Sequence, residues 1–141
     1  MRNYILVILL LAVSLSASAQ DKKHKFNPKK FQADLEAYIV KEAELSQQES
    51  AKFLPVYREM LTKQHQLHKQ QRAYRHLKDA DEKAYRKAVE GNDEVDVKLK
   101  EIQKQYHAKF LNILPAKKVY KIIRLEERFH RQALSRKMNG K

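Results

Sequence analysis

Only two glycines, Gly91 and Gly140, and three prolines, Pro28, Pro55 and Pro115, interrupt the 141 residues of this chain. Inside a helix glycine costs about 1 kcal/mol and proline about 3 kcal/mol relative to alanine, so a chain nearly free of both can run in long helices. Its richness in Lys, Glu, Gln, Leu and Ala favours the same outcome. No segment alternates polar and apolar residues with a period of two, which leaves no candidate strand. The sequence predicts an all-α fold.

Local signals divide the chain into helices. Asn27-Pro28 offers an N-cap followed by proline at the first helical position, and Phe31, Leu35, Tyr38/Ile39 and Leu45 recur at helical spacing, predicting a helix over 28–45. Ser46 with Glu49 three residues on is a capping box that starts a second helix, running to about Lys78. That helix carries Phe53, Val56/Tyr57, Met60 and Leu67 on one face, and Pro55 is expected to kink it after two turns. A short helix over 81–90 should end at Gly91 as a left-handed C-cap, with Asn92 or Asp93 capping the next. Val95, Leu99, Ile102, Tyr106 and Phe110/Ile113 form its stripe. Pro115 opens the last helix, where Val119, Ile122, Ile123, Leu125, Phe129 and Ala133 face one way. The expected architecture is four to five helices in kinked hairpins.

The first 19 residues have the order of a cleavable signal peptide: Arg2, an apolar run from Tyr4 to Leu15, then Ala17-Ser18-Ala19 before Gln20. A membrane span needs ~20 apolar residues, and this run is shorter. Cleavage would leave a polar, flexible segment, 20–27, and one helical domain, 28–138. With no cysteine in the chain, neither a lipid on an N-terminal Cys nor a disulfide is available. A soluble, exported product is expected.

Export changes how the net charge of +13 is read. Such a field attracts polyanions, anionic lipid or acidic protein. Nucleic acid is not an expected partner outside the cytoplasm. From Met60 to Lys78 no residue is acidic, whereas Lys63, Lys69, Arg72, Arg75 and Lys78 are basic and His65, His68 and His76 could become so. On a helix Arg58, His65, Lys69, Arg72 and His76 share a side, beside Phe53, Met60 and Leu67. Phe53, Tyr57, Met60 and Leu67, flanked by Arg58, Lys69, Arg72 and Arg75, are the candidate client-binding set: a half-wet apolar line bordered by flexible cations suits a promiscuous binder. The alternative is that the acids of the next segment, Asp79 to Asp96, fold back onto the basic helix. The C-terminal stripe Lys117, Lys121, Arg124, Arg128 and Arg131 reads as a solvated face.

His65 and His68, three residues apart, could meet at one metal ion, but Lys69 and Arg72 crowd the same side and no carboxylate is near, so no metal or other cofactor is expected. The chain has no Gly-rich phosphate loop and no cysteine or serine elbow nucleophile, so no enzyme is expected either. Protonating the histidines in mild acid would strengthen the basic face.

Two turns read as a faint internal repeat, the alternative being that any two amphipathic helices starting at a turn match in this way. Set Leu45-Ser46-Gln47-Gln48-Glu49 against Leu114-Pro115-Ala116-Lys117-Lys118, and Phe53/Ile122, Leu54/Ile123, Val56/Leu125 and Met60/Phe129 fall at matching offsets. At these turns the chain resembles the LTxxQ-motif family of periplasmic proteins, the group of the Spy and CpxP chaperones and related stress proteins. The first copy has Ser for Thr and Glu for Gln, and the second keeps only Leu114, with Lys118 at the final position. The run Phe53-Leu54-Pro55-Val56-Tyr57 resembles a Phe-x-Pro-x-Tyr stretch that follows the first motif in helical periplasmic members. The resemblance implies a periplasmic location, a thin cradle-shaped homodimer, and ATP-independent binding of unfolded envelope proteins on a basic concave face. It also admits a stress- or metal-responsive adaptor that docks on a sensor kinase or an anionic envelope component.

Overall fold

The computed structural model describes residues 26–139, and the leader expected over 1–19 and most of the flexible segment lie outside them. The described residues form four helices and no strand: α1 (Pro28–Glu42), α2 (Gln47–Tyr74), α3 (Glu82–Leu111) and α4 (Ala116–Asn139). No helix among them is long and apolar enough to cross a membrane.

The helix starts follow local chemistry. Asn27 accepts from the backbone N–H groups of Lys29 and Lys30, Ser46 from that of Glu49, and Asp81 from that of Ala84. Each thereby satisfies donors that the first helical turn leaves without partners. α1 stops three residues before the expected end because the chain turns left-handed at Glu44, with φ of 54°. The N–H of Leu45 then reaches the carbonyl of Val40 at 3.0 Å and that of Glu44 reaches Lys41 at 3.2 Å, the bond pattern of a Schellman turn. α2 runs through Pro55, whose ring lies on the exposed side, and ends at Tyr74.

Gly91 does not end a helix. The break expected there is absent, and α3 continues for 30 residues through Gly91 and Asn92. The glycine serves packing instead: a Cβ at position 91 would lie 2.6 Å from Cζ and 2.7 Å from Oη of Tyr74, so the Tyr74 ring rests where a side chain would stand. The absence of a side chain, rather than a left-handed φ, is what the site uses.

α2 and α3 pack antiparallel along their length, α1 packs antiparallel against α4, and α3 meets α4 near the turn that joins them. The main core sits where the two motif turns come together. Leu35 and Ile39 of α1, Phe53, Tyr57 and Met60 of α2, Tyr106 and Phe110 of α3, and Val119, Ile122 and Leu125 of α4 are all buried in it. Phe53 is its hub, stacked on Tyr57 at 5.3 Å and edge-on to Phe110 at 4.9 Å between ring centroids. Beyond Met60 the α2–α3 pair continues as a two-helix arm with a thin interior of Leu67, Ala88 and Val95.

Candidate functional site

The apolar residues expected to meet a client are core residues. Phe53 and Tyr57 are 0% exposed and Met60 1%, so in this fold none of the three offers surface to a partner. They form an unbroken helical line because α3 and α4 cover it, which removes the half-wet groove expected on that face. Leu67 is also buried, but it lies with Ile102 in a groove of about 440 Å³ along the arm. Lys63, Gln66 and Gln70 of α2 and Lys98, Glu101 and Gln105 of α3 wall this groove, so long flexible polar side chains surround a small apolar floor.

The cations of the set divide in two. Arg58 is structural: its Nε and terminal nitrogen both donate to the carboxylate of Glu36 in α1, the shorter contact being 2.6 Å. The Arg58 guanidinium, assisted by Gln32, holds the Glu36 carboxyl below its ordinary range against the opposing effect of burial. Lys69, Arg72 and Arg75 are exposed, and no described carboxylate lies within ion-pairing distance of any of them.

α3 does fold back along α2, but three of the acids in that segment are engaged elsewhere. Asp81 caps α3, Glu94 pairs with Lys98 at 2.6 Å, and Asp96 accepts from Gln71 Nε2 at 2.6 Å. Among the described residues no ion pair joins the basic stretch of α2 to these acids, so the cations on that face of α2 keep no internal partner.

His68 Nδ1 lies 3.1 Å from Gln71 Oε1, which ties it to the Gln71–Asp96 link between α2 and α3. His65 is exposed, and the described residues contain no cluster of three or more groups able to hold a metal ion.

The two motif turns meet. Ser46 and Glu49 form the expected reciprocal cap, with the N–H of Glu49 donating to Ser46 Oγ at 3.1 Å and that of Ser46 to Glu49 Oε2 at 2.8 Å. The same Glu49 oxygen takes Lys118 Nζ at 2.6 Å, and Lys118 also donates to the carbonyl of Glu44 at 3.0 Å. Lys118 foremost, with the Ser46 N–H, holds the Glu49 carboxyl below its ordinary range. Leu45 and Leu114 are both buried. Since Glu49 and Lys118 are the last residues of the two motif copies, the repeat read from the sequence is joined at its own matching positions.

A second matching pair was not legible in the sequence. Tyr57 and Glu126 lie 12 residues after Leu45 and Leu114, and they face each other across α2 and α4. The Tyr57 hydroxyl is buried without a well-formed hydrogen bond among the described residues. Burial pushes the Glu126 carboxyl up to about 7, with the like charge of Glu127 adding to it and Tyr57 opposing it. His130 Nε2 stands 3.9 Å away, and burial draws that imidazole below its ordinary range.

Compared with protein-family models, curated proteins and solved structures, the chain matches none.

Proposed function

We propose that this protein is an ATP-independent chaperone of the periplasm that captures unfolded or partly folded envelope proteins on the basic α2 face of the α2–α3 arm. The observation that carries this reading is the positive face of α2: Lys69, Arg72 and Arg75 stay exposed and unpaired among the described residues although an acid-bearing helix packs beside them. Charges kept free of internal partners attract an external one over a Debye length, while the Lys- and Gln-walled groove around Leu67 and Ile102 opens on the other side of α2 and offers separate, adaptable contacts. Phe53, Tyr57, Met60 and Arg58 enter this proposal as the frame that holds the arm. A homodimer, as the family likeness implies, belongs to the same reading, with the exposed Tyr85, Val89 and Val97 on α3 as a face open to it.

The test is retention of function in Lys69→Glu, Arg72→Glu and Arg75→Glu combined. The triple variant should keep the helical content of the parent and lose most of its protection of an aggregating client. Equal protection by parent and variant would remove the arm as the site.

A further inference from the structure

The free end of the α1–α4 pair carries a second surface, distinct from the arm. α1 begins at Pro28, and its Phe31 ring packs on Phe129 at 5.2 Å and on the His130 ring at 5.6 Å. α4 continues more than two turns past His130. One and two turns on from His130, along one line of that helix, stand Leu134 and Met138, 60% and 69% exposed. Phe26, also 69% exposed, packs on Phe31 at 5.5 Å, and because α1 runs antiparallel to α4 it lies on the side toward Leu134.

The charges around these apolar groups have one sign. From Arg128 to Asn139 no residue is acidic, and on the helix Lys137 lies to one side of the Leu134–Met138 line and Arg131 to the other. Neither cation pairs with a described carboxylate, nor does Lys29 at the start of α1. A second copy of the chain is a poor occupant, since it would bring two cationic tips together. A soluble polyanion would use the cations and leave Phe26, Leu134 and Met138 in water. An anionic lipid surface uses both, taking the apolar side chains below the headgroups while Lys and Arg stay level with the phosphates.

We propose that this tip docks on anionic membrane, with Leu134, Met138 and Phe26 inserted and Arg131, Lys137 and Lys29 on the headgroups. The proposal does not depend on the client-binding reading, because none of these residues belongs to the arm.

The experiment is co-sedimentation of the exported, processed protein with vesicles of phosphatidylcholine alone or mixed with phosphatidylglycerol. Binding is expected to the mixed vesicles and not to the neutral ones. Arg131→Gln with Lys137→Gln should weaken it by roughly 25-fold, about fivefold for each cation removed from a charged surface. Leu134→Ser with Met138→Ser should weaken it by roughly tenfold or more, since two apolar side chains no longer leave water. Both pairs are exposed near a helix end, and circular dichroism should show unchanged helix. Three results would overturn the proposal: no binding to mixed vesicles; loss of binding with the charge pair but not with the apolar pair, which assigns the tip to a soluble polyanion; or a self-association that the apolar pair abolishes, which assigns it to a second copy. Lys69→Glu, Arg72→Glu and Arg75→Glu should leave vesicle binding intact, so failure of the tip and failure of the arm are read separately.

Discussion

Glu126 is a largely buried carboxyl whose ionisation bears on the stability of the fold. Its carboxyl, raised to about 7, holds a proton that the unfolded chain releases near its ordinary 4.5. Between those values the folded state binds more protons than the unfolded, so stability falls as pH rises and is lost through pH 7. His130 acts in the opposite sense, because a buried imidazole held below its ordinary range costs stability as pH falls. Comparing the parent with Glu126→Gln separates the two. Chemical denaturation of the parent should lose about 2 kcal/mol more between pH 5.5 and 7.5 than the variant does, the amount set by linkage. Equal slopes would mean that Glu126 ionises freely. Glu44 gives a second prediction. It holds a left-handed turn at a cost of about 1 kcal/mol in a residue with a Cβ, so Glu44→Gly should raise stability by about that amount in the same assay, keeping the carbonyl that accepts Lys118. Neither residue stood out in the sequence. A left-handed Glu has no signature, and Glu126 is one acid among seventeen until Tyr57 is placed beside it.

At the scale of elements, the starts of helices were legible and one interior was not. Asn27, Ser46 and Asp81 act through atoms two or three residues away, so their capping is written locally. Gly91 looked like a stop signal for the same local reason, and failed because its partner, Tyr74, comes from another helix. This yields a paired prediction. Gly91→Ala gains about 1 kcal/mol of intrinsic helix propensity but must displace the Tyr74 ring, so in the parent it should be neutral or destabilising. In a Tyr74→Ala background the same change should stabilise by about 1 kcal/mol. Thermal melts of the four proteins check it, and an equal effect in both backgrounds would mean that the ring does not restrict position 91.

At the scale of the whole molecule, the all-helical class followed from scarce breakers and clean periodicity. What the pattern could not say is which apolar lines another helix covers. Phe53, Tyr57 and Met60 read as a candidate binding face and are the centre of the core, whereas Leu134 and Met138 fall outside the main stripe and are exposed. Periodicity identifies a face; pairing decides whether water reaches it. Lys69, Arg72 and Arg75 came through that step without close carboxylate partners among the described residues, since Asp96 of α3 meets α2 at Gln71 instead.

The central claim is that the basic α2 face of the arm holds unfolded proteins without nucleotide. Light scattering of a chemically unfolded client diluted into buffer, with the protein at near-stoichiometric ratio and no ATP, tests it most directly. Aggregation should be suppressed at low salt, and less so as ionic strength rises past about 0.1 M, where exposed charges are screened within ~10 Å. Aggregation that proceeds unchanged at low salt would contradict it.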